Sequence, residues 1–292
     1  MVNTAPTMAN LKRALLKSKI DEIIKLSTIP TVLEKIMSVT EDSKSTVEDL
    51  VKVIEHDQAI ASRIVGVSNA IFYGFPRRIS SISQAIIVLG FEMVKGLAIS
   101  VTVFKGISKS NKANVTSLWE HSFNVAIAAV LIAEKSGLVN KDSAFLAGLL
   151  HDIGRPVLFQ IFSDEYMKTS GDNIEALLEL EQEAFGATHP EAGAMFAEKC
   201  KLPDTCITSI RYHHNPRNYR LRDNGDPLAY LVPIIYLADL IVADGREHSE
   251  NHRGISSAHA EILKSVNITG QMLAEVEEMI SGVRAESNKY YN

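Results

Sequence analysis

The chain has 292 residues, 46% of them hydrophobic and 22% charged, with a formal net charge of -5. That composition fits a globular protein, excludes wholesale disorder, and lacks the basic face of a nucleic-acid binder. No apolar run reaches the roughly 18 uninterrupted residues of a membrane span.

The longest apolar run, Leu228 to Ala243, carries Pro233 and Asp239 and reads as a buried helix. Near the N-terminus Lys12, Arg13, Lys17 and Lys19 break up any signal-peptide core, so a cytoplasmic location is expected, with neither a membrane nor a nucleic-acid partner. Cys200 and Cys206 are the only cysteines; their C-x5-C spacing predicts reduced structural thiols rather than a zinc site or a disulfide framework.

Helix signals run from end to end. Pro30 suits a first helical turn before Val32, Leu33, Ile36 and Met37. Ser45-x-x-Glu48, Ser81-x-x-Gln84 and Ser117-x-x-Glu120 read as capping boxes, the latter two opening helices that stop at Gly90 and Gly137. Asn140 is expected to cap Asp142 to Leu150, Asp172 a segment through Phe185, Asp204 the stretch ending in His213-His214, and Thr269 a last helix through Val283. The alternating Ile99 to Phe104 is compatible with a strand but sits in a helix-like run, and Pro227 to Ala243 is apolar all round, as in a central helix. The polar segment Lys105 to Val115 and the loop Asn215 to Asp226 are the breaks. The prediction is an all-α protein with an N-terminal helical part over 20–110 and a second helical part over 111–285.

Within this apolar text one polar set stands out. Leu149-Leu150-His151-Asp152-Ile153-Gly154 ends a greasy segment with two metal-ligand side chains, and Gly154 is expected to let the chain turn sharply. His121, His189, His213, His214 and Asp239 share helix-like apolar surroundings. Burying such groups is costly unless a partner satisfies them, and a cation is an efficient one. Facing helices carrying inward His and Asp are a normal way to build such a site. By contrast His56-Asp57 has no further ligand types nearby and reads as structural; His248, His252 and His259 are expected to be exposed, and Trp119 to be core.

The order His … His-Asp … Asp resembles the HD superfamily of metal-dependent phosphohydrolases. Flanking stretches narrow the resemblance to the HDOD family of bacterial signalling proteins. They are Ile29-Pro30, Ile54 to Asp57, Ser68 to Gly74, Ile82 to Gly90, Leu118 to His121, Phe185-Gly186 through His189 to Gly193, and Leu202-Pro203 to His213-His214. The resemblance covers residues 20 to 245 and implies an HD-domain-like helical bundle preceded by an N-terminal helical subdomain.

His189, His213 and His214 further resemble the additional histidines of HD-GYP phosphodiesterases, which hold two or more metals. The resemblance implies one ion on His121, His151, Asp152 and Asp239, and a second on His189, His213 and His214, with Asp152 bridging. It also sets Arg155 where a phosphate-contacting lysine lies in those relatives, so Asp152 and Arg155 become the candidate catalytic residues. Mixed imidazole and carboxylate ligation suits Fe, Mn or Zn better than Mg. After His214 the text Asn215-Pro216-Arg217-Asn218-Tyr219 departs from the Gly-Tyr-Pro pattern, and Ser117 stands where some relatives carry a glutamate ligand, so neither cyclic-di-GMP hydrolysis nor a third ion is implied. The expected function is that of a signalling protein with a dinuclear site, either hydrolysing a nucleotide or phosphorylated small molecule or serving as a non-catalytic interaction module. No fused receiver or cyclase domain is expected in the short polar ends, so signals are expected to arrive through protein partners.

Overall fold

A computed structural model describes residues 7–26, 29–41, 45–71, 79–107, 112–169, 173–219, 227–244 and 259–291. Every regular element among them is helical, and Ile99 to Phe104 is helix rather than strand. Phe72 to Gly74, Arg77-Arg78, 108–111, Asp172, 220–226, His248 and His252 lie outside the described residues.

The helices are α1 (Met8–Leu26), α2 (Ile29–Glu41), α3 (Val47–Glu55), α4 (Gln58–Ile71), α5 (Ile82–Leu89), α6 (Phe91–Ile107), α7 (Lys112–Ser136) and α8 (Lys141–Leu150). They continue as α9 (Gly154–Met167), α10 (Ile174–Phe185), α11 (His189–Lys199), α12 (Asp204–Tyr212), α13 (Pro227–Asp244), α14 (Ala260–Ser265) and α15 (Gly270–Tyr291). Local capping chemistry explains several starts. Ser81 Oγ accepts from Gln84 N at 3.2 Å, Asn140 Oδ1 from Asp142 N at 2.7 Å, and Thr269 Oγ1 from Met272 N at 3.2 Å.

Other starts differ from the sequence expectation. The first box is Thr46 with Asp49, not Ser45 with Glu48: the Thr46 amide donates to Asp49 Oδ2 at 3.0 Å. Asn173 caps α10, and Pro203 precedes Asp204, which sits in the first turn of α12. Ser117 is inside α7, which begins five residues earlier at Lys112. In each case a neighbouring short polar side chain, or tertiary packing, competes with the local signal. His56 ends α3 and Asp57 Oδ1 accepts from Ile60 N at 3.2 Å, a structural role as expected.

Two apolar clusters make the core. The larger joins Leu16, Leu33, Leu50, Ile64, Val94 and Phe104 to Trp119, Phe145, Leu158 and Phe196. The smaller joins Val125 and Ile132 of α7 to Leu231 and Leu237 of α13 and to Leu273 and Val276 of α15. Helix α7 feeds both, Phe123 and Ala126 on one side and Val125 and Ala129 on the other. Each large apolar side chain so buried contributes about 1.5–3 kcal/mol. Trp119 is fully buried against Phe123, with the Arg63 guanidinium 4.8 Å from its ring centre. Cys200 and Cys206 are free and buried, and burial pushes both thiols up to about 12. Among the described residues no helix is long and apolar enough to cross a membrane.

Candidate metal centre

The singled-out polar residues meet where five helices converge. His121 comes from the body of α7, and His151 closes α8 with Asp152 in the turn that follows. His189 opens α11, His213 and His214 end α12, and Asp239 lies within α13. Helix ends make good ligand posts because a short turn fixes the side chain's direction. The α11 start is set by Thr188 and Glu191: the Thr188 amide donates to Glu191 Oε2 at 3.2 Å, and the Glu191 amide to Thr188 Oγ1.

Two glycines let the posts close up. A Cβ on Gly148 would stand 2.7 Å from Ala126 Cα, so α8 lies tight on α7. Gly154 has no left-handed backbone, contrary to the sharp turn expected of it. A Cβ there would instead collide with the backbone carbonyl of His189, so the glycine serves the close approach of α9 to α11.

The donors gather into two groups: Asp152 with His189, His213 and His214, and His121 with His151 and Asp239, all within 4.8 Å of one another inside each group. In the first, His189 Nε2 lies 3.2 Å from Asp152 Oδ1 and 3.0 Å from His214 Nε2. In the second, His121 Nε2 lies 3.0 Å and His151 Nε2 3.7 Å from Asp239 Oδ1. The groups adjoin, since His214 Nδ1 is 3.7 Å from Asp239 Oδ2 and the His151 and His213 rings are 5.0 Å apart. Asp152, His151, His189 and His213 are buried, while Asp239 and His214 keep some exposure.

Hydrogen bonds on the outer side of the rings fix which nitrogen faces inward. His151 Nδ1 is 2.7 Å from the Gly148 carbonyl, His213 Nδ1 2.7 Å from the Ile210 carbonyl, and His189 Nδ1 2.8 Å from a Glu181 carboxylate oxygen. Oxygens of that kind only accept, so each Nδ1 carries a proton and Nε2 is the nitrogen left facing inward. The Nε2 atoms of His151 and His213 are buried and make no hydrogen bond. Orphaned inward-facing nitrogens beside two carboxylates form a donor set that fits divalent transition metals.

Electrostatics agree with that fit. Burial pushes the Asp152 carboxyl up, but Arg155 and the His189 and His213 rings outweigh it and hold it well below the usual range. Burial likewise raises Asp239, and the adjacent His121 and His151 rings outweigh it and hold it well below the usual range. Burial, reinforced by the His213 and His189 rings, drives His214 well below its ordinary value. Burial lowers His121 and His213 against the pull of their carboxylates. His151 and His189 move up despite burial, because Asp239 and Asp152 surround the one and Asp152 and Glu181 the other. Ionised carboxylates among largely neutral rings are the ligand-competent state.

A cavity of about 580 Å³ opens onto His121, Asp152, His214 and Asp239, with Arg155 and Tyr236 also in its wall. The Arg155 Nε bonds both Asp152 oxygens, at 3.0 and 2.9 Å. His259 also lines this cavity and its Nε2 is 3.0 Å from Tyr236 Oη, so it is partly buried rather than exposed as expected. Glu181 was not anticipated. It stands on the apolar stripe Leu177, Glu181, Phe185 of α10, and an acid on such a stripe was the available signal.

The family model for the HDOD domain matches residues 26–216. An uncharacterized protein of Treponema pallidum (strain Nichols) is 26% identical over 209 residues, 68% of this chain; the chain spans 40% of that relative's length. Among solved structures, a Shewanella amazonensis SB2B protein provisionally named a phosphohydrolase has TM-score 0.73 at 23% identity, covering 95% of this chain and 98% of its own. A Geobacter sulfurreducens HDOD domain protein of unknown function has TM-score 0.66 at 23% identity, covering 95% and 98%. A protein of Marinobacter aquaeolei VT8, provisionally named for signal transduction, has TM-score 0.68 at 19% identity, covering 100% and 68%. With nearly two thirds of its length matched by the family model, this chain belongs to the HDOD domain family.

Proposed function

We propose that this HDOD protein is a two-metal phosphohydrolase acting on a nucleotide or another small phosphorylated molecule. The observation that carries the reading is the pair of adjoining donor groups, in which His151, His189 and His213 are oriented from outside and the inward Nε2 atoms of His151 and His213 are buried without hydrogen bonds. The proposed ligands are His121, His151, Asp152 and Asp239 for one ion, and His189, His213 and His214 for the other, with Asp152 shared. Fe or Mn suits the mixed nitrogen and oxygen donors best, with Zn next. Bound divalent ions supply Lewis acidity toward phosphoryl oxygens and lower the pKa of water.

The chain's own residues supply the rest. Arg155 steadies Asp152 through Nε and brings a guanidinium to the cavity wall, where a phosphate anion would meet it. Leu118, Leu177 and Leu240 give the same cavity apolar surface for the non-phosphate part of a substrate. The name of the Shewanella amazonensis protein supports hydrolysis, and that of the Marinobacter aquaeolei protein supports a signalling role; a bacterial, cytoplasmic setting and protein partners belong to the same proposal.

A bracing role is the second reading, favoured by the complete burial of His151, His189 and His213. Metal analysis followed by assay on a generic phosphodiester and on nucleotides separates the two. Two ions per chain and turnover reduced at least about 10³-fold in Asp152→Ala are expected. Two ions with no Asp152-dependent turnover would establish bracing, and no bound metal would end both readings.

A further inference from the structure

We infer that the two donor groups load in a fixed order, the His189 group first, because buried Glu181 acts as a positioning residue for it alone. The inference rests on the metal reading above and goes on to say which ion is tightly held.

Glu181 is fully buried on α10, and its hydrogen bonds go to His189 and Tyr166. Its Oε2 accepts from the His189 backbone amide at 2.7 Å, and its carboxylate lies 2.8 and 3.0 Å from His189 Nδ1. Tyr166 Oη donates to Oε1 at 3.1 Å and occupies the remaining side. The carboxylate therefore fixes the ring's tautomer, its rotation and the start of α11 at once. A charged acceptor behind an imidazole makes its other nitrogen a stronger donor than a neutral carbonyl does.

The other group has no such support among the described contacts. His151 leans on the neutral Gly148 carbonyl, and His121 Nδ1 is buried without a hydrogen bond. With Asp152 shared, each ion meets four donors, so the difference lies in what stands behind the rings. Arg155 works in the opposite direction, since its positive charge beside Asp152 repels a cation. The charged acceptor behind His189 outweighs that repulsion, so donor strength favours the His189 group.

The test is a titration of the chelator-stripped full chain with Mn²⁺, followed by calorimetry and by the resonance of free Mn²⁺. The wild type is expected to bind in two resolved steps. Asp239→Asn should lose the weaker step and keep the tighter one, and His189→Gln should do the reverse. Glu181→Gln, which keeps the shape and one acceptor, should weaken the tight step about 10–100-fold and spare the weak one. Two equal steps in the wild type, or loss of the tight step in Asp239→Asn, would overturn the order. These two outcomes need no change at Glu181, so a poorly folded Glu181→Gln leaves the test intact. An unaltered tight step in a folded Glu181→Gln would overturn the role of Glu181. Failure of the wild type to bind any Mn²⁺ would instead remove the metal reading itself.

Discussion

At the scale of single residues the centre depends on what is small as much as on what ligates. Gly154 and Gly193 face each other where α9 meets α11; a Cβ on Gly193 would come within 2.9 Å of the Gly154 nitrogen. Because the obstacle to Gly154→Ala is backbone, no rotamer change relieves it. That substitution is expected to destabilise the fold by about 3 kcal/mol and to displace His189, read as a lower urea midpoint and weaker metal uptake. A wild-type midpoint in Gly154→Ala would show that the helices separate freely. The candidate ligands were legible in the sequence because a histidine or aspartate in apolar text is conspicuous. The reason for Gly154 was not, since close approach and a sharp turn call for the same residue.

At the scale of elements, α13 and α15 stand beyond residue 216, where the family match ends. Yet α13 supplies Asp239, and α15 covers α7 and α13 through Leu273 and Val276. Leu237, fully buried next to that aspartate's turn, ties α13 to α7. Leu237→Ala is expected to reduce stability by about 2–5 kcal/mol and to weaken the Asp239 group before the His189 group. Equal weakening of both Mn²⁺ steps would place α13 outside that selective role. The exposed Lys135–Glu275 pair, 2.6 Å between α7 and α15, should by contrast be replaceable by alanines with little change in midpoint. Helix existence followed from periodicity, whereas starts such as Thr46 and Asn173 shifted by one residue because adjacent polar side chains compete for the same amides.

Across the whole molecule the buried charges set the pH response of the metal-free protein. Asp152 and Asp239 have folded values well below the model-compound 3.8, so the unfolded chain takes up their protons first as pH falls. The stability they contribute is complete above about pH 4 and lost below it, as pH drops through their folded values. His121, His213 and His214 are lowered from 6.5, so they too favour unfolding as pH falls below 6.5. His151 and His189 are raised, so their contribution is complete below 6.5 and declines as pH rises through their folded values. The raised pair therefore act above pH 6.5 and the lowered three below it, so stability declines on both sides of about pH 6.5 and the carboxylates add to the loss below about pH 4. Urea midpoints are expected to decline gradually as pH falls below about 6.5 and steeply below about pH 4, the latter less so in Asp239→Asn. A midpoint unchanged to pH 2 would contradict the ionised pair.

The sequence by itself determined the all-α class, the resemblance that the family match bears out, and the residue types able to ligate metal. Those signals are local: capping side chains, apolar periodicity, and the expense of polar groups in greasy surroundings. The resemblance already implied two sets of ligands; only the tertiary structure set Asp152 beside His189, His213 and His214, brought His259 to the cavity wall, and set Glu181 behind His189. Such relations join residues far apart in the chain, and packing determines which of them become neighbours. An acid on an apolar stripe announces a buried partner without saying which histidine will be the one.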